Sequence, residues 1–423
     1  MITAGAHPSA HRRLKWLLVL LVVVGSAAIL FRKPIQEAVL LRSFLMSDSA
    51  SEPAFIALVE RAKDRFALLL RIWNTKKIPH RMQVVTYLKD NAGARPDLYR
   101  RDELLLLSAA MDVDASVREL ALAALAQQRH LAVPRLAAAL LRDADPEMRL
   151  LGVQYLRKQD ASTALPLVFN LLDDPDQRVV TSADAALRKW TGQDFGVRMT
   201  HAAINSAGDT NLEPENIKII QEGVQRWKEW WKSHQKDYPA NTLGAAARPG
   251  PAERLPMEDF KLRDPKGKPV RFSDFKGRIV LLNFWTTWCP GCVQEIPALI
   301  ELQRRNAPRL MILGISLDGQ TELDEHGHVA GTHSDSGHGQ DKANGTVAEI
   351  GAKVEQFVKG NGVNYPVLLD PNNEVGRRFN GGELPTNVLI DSQGYVRRRF
   401  NGGRNVAAFE AMIDELAPPK AER

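Results

Sequence analysis

The chain has 423 residues, 44% of them apolar and 25% charged, with a net charge of only +6. That is the composition of a folded protein with room for two or three domains. Acids and bases are interspersed, so the slight basic excess reads as ordinary solvated surface and argues against nucleic acid as a partner; two cysteines are too few for a cysteine-built zinc site.

Residues 1–13 read as a cytoplasmic tail and 14–33 as a transmembrane anchor. Trp16 to Phe31 carry no charge and are bracketed by Arg12, Arg13 and Lys15 before and Arg32 and Lys33 after. As a helix this run spans about 24 Å against a hydrocarbon core of about 30 Å, a difference that snorkelling flanks close. The competing reading is a signal peptide cut near Ser26-Ala27-Ala28. Cleavage there would leave Ile29-Leu30-Phe31 exposed at a new terminus, so the uncleaved anchor is expected. Arg32, Lys33 and Arg42 nearly balance the N-terminal charges, and the positive-inside rule leaves the orientation open.

Residues 52–235 are rich in Leu and Ala and show no strand pattern. Asp114 and Arg118, Asp145 and Arg149, and Asp174 and Arg178 repeat one Asp-x-x-x-Arg motif at spacings of 31 and 29 residues, each followed by an apolar helix. Asp145-Pro146 and Asp174-Pro175 predict an N-cap followed by a first-turn proline. Helix pairs at a period near 30 predict a stacked solenoid, because one pair cannot bury its own apolar face. The units resemble short HEAT-type repeats, and the stretch from His80 to Leu88 reads as an earlier, degenerate copy. Trp190, Trp227, Trp230 and Trp231 are expected to cap the end of the stack rather than form a partner-binding patch. The solenoid is expected to position a protein partner. Residues 236–256, rich in Pro, Ala and Gly, read as a linker that lets the last domain swing.

Residues 257–418 form the last domain. Its predicted order is strand (279–284), helix (290–305), strand (310–316), helix (347–359), strand (387–391), strand (395–400) and helix (406–416), which makes an α/β sandwich. Thr346-x-x-Glu349 is a capping box, Gly360 is placed to end that helix, and Ser392-Gln393-Gly394 is a hairpin turn. A polar insert at 318–345 carries His326, His328, His333 and His338. Clustered histidines bind copper or zinc, but Gly, Ser and Asp surround these, so no metal site is assigned and the insert reads as a loop.

The chemistry centres on Phe284-Trp285-Thr286-Thr287-Trp288-Cys289-Pro290-Gly291-Cys292, which holds both cysteines of the chain. They sit where a strand hands over to a helix, so free N–H groups and the positive end of the helix dipole favour a thiolate on Cys289. Pro290 suits the first helical position. Cys292, one turn in, is the more covered thiol and resolves the mixed disulfide that Cys289 forms with a substrate. A structural disulfide closing so small a loop would remove little unfolded-chain entropy. The pair therefore reads as a redox-active disulfide, with no other cofactor.

From Asp259-Phe260-Lys261-Leu262 through Phe272-Ser273-Asp274-Phe275-Lys276-Gly277 to Cys289-Pro290-Gly291-Cys292, Glu295 and Pro297, the sequence resembles the thioredoxin-like TlpA/ResA group of thiol-disulfide oxidoreductases. Leu384-Pro385-Thr386 looks like the cis-proline loop that faces the cysteines in that fold. The resemblance implies that Glu295 handles the proton, Asn283 standing where thioredoxin has an aspartate. It also implies that Trp288 shields the site and that Leu384 and Pro385 hold the substrate backbone. An inner-membrane, single-pass protein with its C-terminal domains outside the cytoplasm is implied too, acting on protein disulfides, more fittingly as a reductant. Two alternatives are weighed against it. One is a scaffold or copper-handling protein using the solenoid and the histidine insert, although an intact cysteine pair argues against a dead domain. The other is a peroxiredoxin-like peroxidase: Thr286 stands at the right distance before Cys289, but Leu282 occupies the place of the required proline.

Overall fold

The computed structural model describes residues 36–48, 50–91, 99–197, 214–238, 254–319 and 346–416. The expected anchor lies outside the described residues, as do the four histidines of the insert. Among the described residues, no helix is long and apolar enough to cross a membrane.

The first half is helical: α1 (36–46), α2 (Glu52–Arg61), α3 (Arg65–Trp73), α4 (Ile78–Asp90), α5 (Tyr99–Ala109), α6 (Ala115–Gln127), α7 (Val133–Leu140), α8 (Pro146–Leu156), α9 (Ala161–Phe169), α10 (Gln177–Thr191) and α11 (Pro214–His234). Asp114, Asp145 and Asp176 cap α6, α8 and α10, each carboxylate accepting a first-turn N–H. Their apolar faces, including Val117, Leu122, Val153, Leu156, Val180 and Leu187, join one buried core.

The repeat is sharper than the Asp-x-x-x-Arg pattern suggests. Acid doublets, Asp112 with Asp114, Asp143 with Asp145, and Asp174 with Asp176, recur every 31 residues. The cap of the third unit is therefore Asp176 and not Asp174. Asp174 instead receives Arg149 in a two-point contact of 2.7 Å each. Arg118 approaches Asp143 at 3.9 Å, so in these two units the arginine faces the first acid of the next, and Arg81 of α4 pairs with Asp112 at 2.5 Å from a different register.

The tryptophans close the far end. Trp227 is fully buried and donates its Nε1–H to Asp184 at 2.7 Å, while Trp231 stacks on Phe169 at 4.8 Å. Gly223 lets α11 come this close, since a Cβ there would lie 2.9 Å from the Phe195 carbonyl.

The second half runs β1 (Leu255–Pro256), β2 (Lys261–Arg263), β3 (Pro269–Arg271), β4 (Ile279–Trp285), α12 (Pro290–Asn306), β5 (Leu310–Ser316), α13 (Val347–Gly360), β6 (Val367–Leu369), β7 (Thr386–Ile390), β8 (Tyr395–Asn401) and α14 (Val406–Asp414). The strands form one sheet in the order β1-β8-β7-β4-β5-β6-β2-β3, with β5 parallel to β4 and β6 and every other pairing antiparallel. β4 is central and buried throughout. Its alternate residues feed two cores, Leu281 toward Leu299, Leu302 and Phe409, and Leu282 and Phe284 toward Leu313 and Phe379.

Three expectations need correction here. Leu255-Pro256 is a strand on the sheet edge and not linker. Helix α13 runs through Gly360 and stops at Asn361, ahead of Gly362 at φ +65°. The last domain, finally, is docked on the helical array rather than left to swing.

The dock rests on buried ion pairs along β8 and the loop that follows it. Arg398 meets Asp143 at 2.6 Å, Arg399 meets Asp114 at 3.3 Å, and Arg404 clasps Asp145 at 2.8 and 3.2 Å. The Arg399 N–H also donates to the Val113 carbonyl, so the loop before α6 continues the edge where β1 ends. Ile78 and Val113 complete the apolar side of the contact by joining the sheet's second core.

Candidate active site

β4 ends at Trp285, and four residues later Cys289 caps α12. Its Sγ accepts the Cys292 N–H at 3.2 Å, and Pro290 occupies the first turn, where a missing N–H goes unnoticed. The two cysteines are joined as a disulfide with Cα atoms 5.3 Å apart. Cys289 is 6% exposed and Cys292 2%. A sulfur placed as an N-cap lies where an anion is stabilised, which is the physical condition for a reactive thiolate.

The expected neighbours assemble around this turn. The Leu384-Pro385 peptide is cis, and a Cβ on Gly291 would lie 3.6 Å from Pro385 Cδ, so the proline packs against the cysteine turn. Trp288 and Leu384 are half-buried beside it.

Glu295 is fully buried one turn beyond Cys292. Asn387 donates to its Oε1 and Asn283 to its Oε2, both at 2.9 Å. Burial pushes this carboxyl up to about 7, against the opposing pull of Asn387, the Arg404 charge and Asn283. Asn283 thus holds the glutamate by a neutral amide. Tyr365, buried nearby, is also pushed up, by burial first and then by Glu295.

This shift sets a pH dependence of stability. The folded chain keeps the Glu295 proton up to about pH 7, whereas the unfolded chain loses it near the ordinary value of 4.5. Across that window the native state binds more protons, so stability falls as pH rises, by up to about 3 kcal/mol. Glu295→Gln is expected to remove that slope. Denaturant unfolding of both proteins below and above the window checks it, and parallel pH profiles would contradict the assignment.

Two residues of the site escaped the sequence reading. Asp318, assigned to the insert, is 1% exposed and belongs to the core: it takes the Thr287 N–H at 3.0 Å and the Thr287 hydroxyl at 2.6 Å. Ser316 and Lys353 hold it in turn, so the loop ahead of Cys289 is anchored from the end of β5. Its sequence setting, at the strand end just before a polar tract, hid it. Asn387, next to the proline loop, was missed as well. Among the described residues, no three His, Cys, Asp or Glu side chains gather as a metal site.

A profile of the AhpC/TSA family matches residues 254–399. Thiol-disulfide oxidoreductase ResA of Geobacillus kaustophilus is 29% identical over 131 residues, covering 30% of this chain and 57% of that protein. Its namesake in Bacillus subtilis is 29% identical over 129 residues, covering 30% of this chain and 55% of that protein. Among solved structures, a thioredoxin-family thiol:disulfide interchange protein from Chlorobium tepidum TLS shares 26% identity, with 39% of this chain and 97% of that one covered at a TM-score of 0.30. The chain thus spans a little over half the length of the ResA proteins it matches. Its C-terminal domain is thioredoxin-like, and the relatives that this domain matches are thiol-disulfide oxidoreductases.

Proposed function

We propose that this protein is a membrane-anchored thiol-disulfide oxidoreductase of the TlpA/ResA kind, working outside the cytoplasm and reducing protein disulfides. The observation that carries the reading is Cys289 as the N-cap of α12, packed beside Pro385, with a buried, titratable Glu295 one turn past Cys292.

In the reduced protein the Cys289 thiolate attacks one sulfur of a client disulfide. The client's other sulfur leaves as a thiolate and takes a proton. Cys292 then gives its proton to Glu295 and attacks Cys289 Sγ, releasing the second client thiolate. Two electrons pass to the client, and the Cys289–Cys292 disulfide remains. Trp288 and Leu384 flank the entering client, and the backbone beside Pro385 offers it extended pairing. The helical array, read as HEAT-type repeats, carries the redox domain and positions a protein partner.

The test is the reduction potential of the pair in the full-length chain in detergent, equilibrated against defined thiol buffers with Cys289→Ser as control. The wider fold spans about −270 to −120 mV. A value toward −270 mV is expected of a reductant. One near −120 mV would overturn the direction of electron flow.

A further inference from the structure

We propose that Arg404 is a positioning residue through which the helical array sets the charge state of Glu295. The idea rests on the reading of Glu295 as the proton-handling group, and it adds a route by which docking of one domain reaches the chemistry of the other.

Arg404 stands between two buried acids from different domains. Its guanidinium clasps Asp145 at 2.8 and 3.2 Å over the Phe400 ring, and its Nη1 shares the Gly402 carbonyl with Asn387, whose amide donates to Glu295. Arg404 is 4% exposed, Asp145 1% and Glu295 fully buried, so little water screens the three charges. Nη1 is held by the carbonyls of Asn401, Gly402 and Gly403 at 3.0 to 3.2 Å. The Gly402 N–H donates in turn to the Pro385 carbonyl at 2.8 Å, so the same loop reaches the proline, the helical array and, through Asn387, the glutamate.

One cation shared by two carboxylates cannot satisfy both. The two-point contact commits Arg404 to Asp145, whose carboxyl burial would raise but which Arg404, with Arg398 behind it, holds down at about 2. Glu295 is left with the weaker share. The charged and titratable groups acting on it are Arg404 after β8 and Tyr365 ahead of β6, while Cys292, one turn earlier on its own helix, is held in the disulfide; Asp145 and Glu147 act through Arg404. β4 and β7 contribute only the neutral Asn283 and Asn387.

The two partners therefore have opposite effects. Removing the Asp145 charge frees the guanidinium for Glu295 and favours the carboxylate, whereas removing the Arg404 charge favours the neutral acid. Asp145→Asn keeps the N-cap of α8, since asparagine caps as well as aspartate. The experiment is an infrared pH titration of the buried carboxyl band in the oxidised full-length chain, with the band identified by its loss in Glu295→Gln. Relative to the wild type, the midpoint is expected to fall by about one pH unit in Asp145→Asn, to rise by about as much in Arg404→Met, and to return toward the wild-type value in Arg404→Lys. Unmoved midpoints, or shifts of one sign in both charge-removing variants, would overturn the coupling. The band needs no client and no turnover, so its failure is separate from failure of the oxidoreductase reading.

Discussion

Cys289→Ser should abolish disulfide exchange, by about 10³-fold or more, while Cys292→Ser should complete the first attack and stop there. The difference follows from where each sulfur sits. Cys289 is at the helix start, its Sγ accepting an N–H, with exposed Pro290 and half-buried Trp288 at the rim. Cys292 lies one turn deeper at 2% exposure, reachable by Cys289 Sγ but closed to a protein client. With Cys292 replaced, nothing displaces the client from Cys289 and the mixed disulfide accumulates. Mass spectrometry of protein captured from an extracytoplasmic extract reads it directly: one client attached through Cys289, released by added dithiol, and absent from the Cys289→Ser, Cys292→Ser double variant. No Cys292→Ser adduct with any disulfide-bonded protein would refute the order of attack.

What could be read from sequence divides along a physical line. β4, β5, α12 and the turn at Ser392-Gln393-Gly394 were legible because apolar runs, helical spacing and turn residues are local signals. So was the capping box of Thr346 and Glu349, in which each side chain takes the other's main-chain N–H. The short strands β1, β2, β3 and β6 were missed, since two or three residues cannot show a period. The third repeat was read two residues out of register because Asp174-Pro175 imitates a cap, while the true cap is the second acid of the doublet. Asp318 and Asn387 act across the fold, on Thr287 and Glu295, and local pattern says nothing of such contacts. The dock is the extreme case, with Arg398 and Arg404 reaching acids more than 250 residues earlier. A run of three arginines in a strand was the available sign, because a buried strand tolerates arginine only opposite acids.

That dock makes Asp143→Ala the largest stability effect outside the redox site. Asp143 is fully buried and receives Arg398 at 2.6 Å from the redox domain, Arg118 at 3.9 Å from its own array, and the Asp145 N–H at 2.9 Å. Its loss leaves two buried guanidinium groups short of charge: Arg118 keeps the Asp112 carbonyl, and Arg398 keeps the half-exposed Glu415 and the more distant Asp145 charge. Removing one side of such a pair costs about 3–5 kcal/mol, because the remaining charge stays desolvated. Lys359→Ala, which breaks an open surface pair with Glu355, should leave the unfolding transition where it is. Thermal unfolding compares the two, and limited proteolysis within 239–253 reports whether the domains part before either unfolds. If Asp143→Ala unfolds like the wild type with no new cleavage, the ion pairs do not hold the domains together. If cleavage rises while the redox domain keeps its own transition, the dock is a separable contact and the helical array has lost its grip on Arg404.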